Sequence, residues 1–290
     1  MSNYFVGDSA NQVFDSYCEY LAATQDARFY RQFISQWEQD PEPKQAEAIV
    51  FAWACSAGLN PVINESLTHG GLDFRCSPDI GSPFLLEVTV IKIETVERQS
   101  KLSNDIDHPG GAFRFITITL NMQVRSKWDQ FVNSEPIPRV MAIASLHTRA
   151  DLLLGRDAAE SLLTSDPFIR YAVNAKGLEQ GRSSTDLRNS AFFKLDDADP
   201  PNVLLKNHVV SAILLFPILE DRVQPVGILH PDPHYQFDIK SLHLVPLGGI
   251  RDWPLRNNQI STRWTYDTDP VTYYHRRIRL TDSERRNNQT

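Results

Sequence analysis

Phe84-Leu85-Leu86-Glu87-Val88-Thr89-Val90-Ile91-Lys92-Ile93 is an apolar, β-branched run that carries a carboxylate near its middle. Such composition reads as a β-strand over 83–93. Side chains alternate along a strand, so Glu87 and Thr89 share one face and Lys92, at an odd offset, points to the other. A carboxylate there is costly if it is buried without a partner. On an edge strand it would instead face water.

Working toward the N-terminus, Pro78-Asp79-Ile80-Gly81 is a turn signal. Before it, 72–76 has strand character and places Asp73 directly after Gly70-Gly71, fourteen positions ahead of Glu87. The two segments read as a hairpin, with a weaker strand over 61–66. Upstream, 44–57 reads as a helix carrying Glu47, with Gly58 placed to end it in the left-handed conformation. Val13, Phe14, Tyr17, Tyr20, Leu21, Phe29, Phe33 and Trp37 recur at helical spacing, predicting one or two helices broken near Thr24 and stopped by Pro41-Glu42-Pro43.

Toward the C-terminus, a polar stretch over 94–111 starts as helix and ends in the breaker His108-Pro109-Gly110-Gly111. A helix is predicted over 116–132, with Gln123 and Lys127 one turn apart on one face. A strand follows over 139–145 and a helix over 149–164. The polar segment 174–201, with Gly181-Arg182-Ser183-Ser184, reads as a mobile loop. Two strands are expected over 209–217 and 224–230. The last forty or so residues carry no clear pattern and either wrap the domain or lack order. The prediction is an α/β fold, a central mixed sheet flanked by helices. An N-terminal helical segment (1–43) precedes the α/β core (44–173), and an extension (174–290) completes or wraps it.

Composition narrows the function classes. The net charge of −7 argues against non-specific nucleic-acid binding over the whole surface but leaves room for a local basic groove. No apolar run reaches the length of a membrane span, and the N-terminus lacks a secretory signal pattern, so a cytoplasmic protein with no membrane partner is expected. Cys18, Cys55 and Cys76 read as free thiols of a reducing compartment. No G-x-S-x-G elbow and no P-loop occur. His230 and His234, in His230-Pro231-Asp232-Pro233-His234, read as surface or turn histidines rather than metal ligands. Arg276, Arg277, Arg279, Arg285 and Arg286 read as a solvated tail, with phosphate contact as the sharper alternative.

The chemistry points to Asp73 and Glu87. If the hairpin register brings them together, their mutual repulsion is relieved by a divalent cation, and Mg²⁺ (or Mn²⁺) prefers such hard oxygen ligands. Asp73 as a turn residue and Glu47 as a solvated helix position are the plainer alternatives.

Glu47 on its helix, Gly70-Gly71-Leu72-Asp73-Phe74, Leu86-Glu87-Val88-Thr89 and Lys127-Trp128-Asp129-Gln130 occur in this order. In that order they resemble the PD-(D/E)XK nuclease superfamily over roughly 44–145. The resemblance implies a restriction-endonuclease-like core in which Asp73 and Glu87 bind metal and Glu47 helps hold it. It also implies a lysine two positions after the glutamate, orienting the attacking water. That position is Thr89, which carries no ammonium. Lys127 or Gln123, on the following helix, would then stand in, as in relatives whose lysine has migrated. The implied activity is Mg²⁺-dependent endonuclease cleavage of DNA, within a prokaryotic defence or mobile-element system. The alternative is a catalytically inactive nuclease-like scaffold that binds a protein partner or assembles as a homo-oligomer.

Overall fold

In the computed structural model, residues 10–65, 71–105, 116–132, 135–165, 168–170, 173–174, 177–178, 182–185, 187–198, 202–220, 222–255, 259–265 and 275–280 are described. Gly70, the breaker at 108–111, Gly181, Arg285 and Arg286 lie outside them.

Helices α1 (Ala10–Thr24) and α2 (Ala27–Gln39) part at Asp26. Its carboxylate accepts the amides of Arg28 and Phe29, each at 2.8 Å, and so caps α2. Helix α3 (Pro41–Ser56) begins earlier than the sequence suggested, because Pro41 sits in the first turn, where an amide has no partner to lose. Gly58 follows it at φ +69°, the expected left-handed turn.

The strands come next. β1 (Pro61–Ile63), β2 (Phe74–Cys76) and β3 (Phe84–Val90) form an antiparallel meander in which Phe74 faces Leu86. After α4 (Ile93–Ser100) the chain enters α5 (Thr117–Ser126) and α6 (Trp128–Val132), two helices rather than the single one expected. They break at Lys127, whose amide donates to the Arg125 carbonyl, while its own carbonyl accepts from the amides of Gln130 and Phe131 and starts α6. β4 (Arg139–Ser145) spans the predicted strand and runs parallel to β3. The expected helix over 149–164 is also divided, into α7 (Ala150–Leu153) and α8 (Arg156–Thr164), at Leu154-Gly155.

The segment predicted as a loop departs most from expectation. It contains β6 (Val173–Asn174), β7 (Gly177–Leu178), β8 (Arg182–Thr185) and β9 (Phe193–Leu195), preceded by β5 (Phe168–Arg170) and followed by β10 (Val203–Leu205). These strands are short, so each falls below the length at which alternation is legible. β11 (Ala212–Pro217), β12 (Val226–Leu229), β13 (Leu247–Ile250), β14 (Gln259–Thr265) and β15 (His275–Leu280) complete the list. The unpatterned C-terminus therefore supplies strands, and Arg276, Arg277 and Arg279 lie on β15.

Among the described residues, eleven strands join one mixed sheet in the order β1-β2-β3-β4-β11-β12-β13-β14-β15-β8-β5. β11 pairs in parallel with β4, so residues beyond 174 supply an inner strand of the sheet. Alternation sorts the side chains into two cores. Phe84, Leu86, Val140, Ala142, Leu214 and Phe216 pack with α1, α2 and α3 on one face. Leu85, Met141, Ile143, Ile213 and Leu215 pack with α5 and α8 on the other. In β3 alone, Phe84, Leu85 and Leu86 are fully buried. At roughly 1.5–3 kcal/mol each, they offset the several kcal/mol that a buried carboxylate costs in the same strand. The fold is α/β with a mixed sheet flanked by helices.

Candidate functional site

Strand β3 carries Glu87 on the face that also holds Leu85 and Thr89, and Glu87 is 2% exposed. Beside it, β2 ends at Phe74, one residue short of Asp73. Asp73 is thus not a strand residue, as the sequence suggested. The chain peels away there, and its carboxylate replaces the missing ladder partner: Oδ2 accepts the amide of Val88 at 2.6 Å. Val88 lies between Glu87 and Thr89, so this bond brings the Asp73 carboxyl to the strand position where Glu87 projects. The Asp73 amide also faces the Glu87 carboxyl and favours its charged form.

Glu87 Oε1 accepts a hydrogen bond from Lys127 Nζ at 2.7 Å. The break between α5 and α6 puts Lys127 at the end of a turn, from where its chain reaches the strand. Glu87 Oε2 is buried and has no hydrogen-bond partner. Thr89 Oγ1 donates to Gln123 Oε1 at 3.0 Å. Gln123 and Lys127 therefore meet neighbouring positions of one strand face, as their helical spacing predicts. Lys92 points away and pairs with Asp40.

Glu47 enters from α3, across the sheet edge. It is 6% exposed, which excludes the solvated-helix alternative. Its Oε1 accepts from the Tyr17 hydroxyl at 2.9 Å and its Oε2 from Lys44 Nζ at 2.7 Å. Tyr17 is held by rings of Phe33, Phe51 and Phe74, with centroids 5.5, 4.9 and 6.5 Å away. The aromatic residues of the first helices are thus core that also orients one carboxylate.

The sequence reading missed two residues here. Glu65, just after β1, feels the charges of Lys44, Glu47 and Lys127, and Lys44 pairs with Glu47. Glu65 follows a three-residue strand with little signal. Lys44 sits three residues before Glu47 on one helix, a spacing that signals a pair.

The electrostatics follow from this crowding. Burial raises the Asp73 carboxyl well above the usual carboxylate range, and the charges of Glu87 and Glu47 raise it further. The residue keeps some solvent contact, but its carboxyl is packed among other acids. Burial also raises Glu87, against the attraction of Lys127. Burial alone would lower Lys44 and Lys127; attraction to Glu47 and Glu87 outweighs it, and both ammonium groups are raised. Four carboxylates thus share two ammonium groups, a surplus of negative charge when all are ionised.

Among the described residues, no three His, Cys, Asp or Glu side chains are gathered closely enough to hold a metal ion as they stand. The donor chemistry nevertheless fits a hard divalent cation. Glu87 Oε2 is an acceptor buried without a donor, and the neighbouring Asp73 is charged only at a cost that a cation would remove. No protein-family model, no curated protein and no solved structure matches the chain.

Proposed function

We propose that this protein is a metal-dependent nuclease of the PD-(D/E)XK type that hydrolyses phosphodiester bonds in DNA. The observation that carries the reading is the 2.7 Å contact between Lys127 Nζ and Glu87 Oε1. It supplies, from the junction of α5 and α6, the ammonium that Thr89 cannot provide. Asp73 and Glu87 would hold Mg²⁺ or Mn²⁺, with Glu47 in support. When bound, the ion lowers the pKa of water and offsets charge building on the phosphate. Lys127 orients the attacking water beside Glu87 and favours its deprotonated form. Thr89 holds Gln123 next to it. Lys44 and Tyr17 fix Glu47. In the hydrolysis, the water oxygen bonds to phosphorus as one ester P–O bond breaks. The leaving oxygen takes a proton. The unpaired thiols of Cys18, Cys55 and Cys76 suit a cytoplasmic setting.

The test is incubation of supercoiled plasmid and of single-stranded DNA with the protein and Mg²⁺ or Mn²⁺, beside Mn²⁺ calorimetry. Wild type is expected to bind Mn²⁺ and cut, and Asp73→Ala to do neither. A wild-type chain that takes up no Mn²⁺ overturns the reading. One observation favours a second reading, an inactive scaffold that binds a partner or assembles with itself. Lys44 and Lys127 already neutralise Glu47 and Glu87 without any cation. The scaffold reading expects no Mn²⁺ uptake in the same calorimetry.

A further inference from the structure

We infer that Lys206, Lys194 and Arg125 form a second site, which binds a phosphate group. That the phosphate belongs to a nucleic-acid backbone rests on the nuclease reading; the phosphate site itself does not. The hairpin of β9 and β10 pairs Lys194 with Leu204. Alternation places Lys206 on the same face as Leu204, so the two lysines are diagonal neighbours. The backbone of Lys206 is fixed from both sides. Its amide donates to Phe192 O at 2.9 Å, and its carbonyl accepts from His230 Nε2 at 2.9 Å.

His230 is itself locked. Its Nδ1 accepts the Asp232 amide at 3.0 Å, and its ring stands edge-on to Phe192 at 4.7 Å. The histidine-proline segment, read as surface or turn, thus places a buried ring, 4% exposed, against the Lys206 carbonyl. The third cation comes from α5, the helix that presents Gln123 and runs into Lys127. Val124 of α5 and Phe193 of β9 belong to the same core on this face of the sheet, and the charge of Arg125 reaches Lys206.

Lys206 is half-buried, and the charges acting on it are Arg125 and Lys194, both of its own sign. Burial first, then these two, bring its ammonium down to about 8. Among the described residues, none of the three has a carboxylate partner. The chain has 36 acidic against 29 basic residues, so three cations gathered without an acid are not a by-product of composition. An anion relieves their repulsion. Phosphate, with several acceptor oxygens, matches donors arriving from two elements.

The test compares wild type, Lys206→Met and an Arg125→Ala/Lys194→Ala double variant, without divalent metal so that nothing is cut. Binding of a short DNA duplex is measured over a salt series, and binding of pyrophosphate by calorimetry. Each lost phosphate contact is expected to reduce the salt slope by about 0.9, and Lys206→Met to weaken duplex binding roughly tenfold. Lys206→Met is also expected to raise the thermal midpoint without ligand, since it removes a repelled charge; a merely structural lysine would lower it. Weakening of both ligands supports the site on a nucleic acid. Pyrophosphate binding that depends on Lys206, without duplex binding, keeps the phosphate site and overturns its assignment to nucleic acid. Unchanged affinities in the variants, or no binding of either ligand by wild type, overturn the inference. Plasmid cutting by wild type would then still stand for the carboxylate site.

Discussion

Lys127 is the nearest counter-charge to a carboxylate that has one oxygen unsatisfied already. Removing its ammonium leaves Glu87 buried and alone. Lys127→Met is expected to lower stability by about 2–4 kcal/mol in urea unfolding, since breaking a buried pair strands the remaining charge. Adding Glu87→Gln should return most of that loss. A double variant no more stable than Lys127→Met alone would show that the lysine stem, not its charge, matters. Asp73 behaves oppositely. It is repelled by Glu87 and Glu47, and Asp73→Asn keeps an oxygen for the Val88 amide. Asp73→Asn is expected to raise stability by about 1 kcal/mol while abolishing Mn²⁺ uptake, the exchange common at sites built for function. Loss of both would assign Asp73 to folding. At this scale the sequence was informative: a charge inside an apolar strand demands a partner, and Glu87 has one. Glu65 was not legible, because a lone acid after a weak strand carries no pattern.

The strand alternation that sets Glu87 and Thr89 on one face also makes the lysine position exchangeable. A lysine at 89 would project to the side where Gln123 meets Thr89. We expect Lys127→Met to lose plasmid cutting by about 10²-fold or more, the scale of a positioned acid–base group. Thr89→Lys in that background should recover part of it. If Thr89→Lys restores nothing while the chain stays folded and binds Mn²⁺, the ammonium is not the missing part. Long elements were readable because their periodicity repeats: β4 over Arg139–Ser145 matches its predicted span. The break at Lys127 was not, because it depends on where the lysine and the α6 turn settle against β3. The short strands between Phe168 and Leu205 failed for a plainer reason. Two to four residues contain too few alternations to tell a strand from a loop.

At the scale of the whole molecule, residues far apart in the chain are interdependent. His230, just after β12, supports the hairpin of β9 and β10 through the Lys206 carbonyl. Its burial lowers its pKa to about 4, against 6.5 for the free side chain. Between these values the unfolded chain binds a proton that the folded chain refuses. Stability from this group is therefore full above about pH 6.5 and is lost as pH falls toward about 4, by up to about 3 kcal/mol. Urea unfolding at a series of pH values should show that loss, and His230→Gln should flatten it. An unchanged profile in His230→Gln would put the acid sensitivity elsewhere. Periodicity and composition by themselves determined the α/β class, the hairpin of β2 with β3, and the acids to watch, because local spacing dictates which face a side chain takes. Only the tertiary structure decided that Lys127 neutralises Glu87, that Tyr17 holds Glu47, and that β11 lies beside β4. Those are contacts between distant segments, and their energies depend on burial and distance, neither of which is written in neighbouring residues.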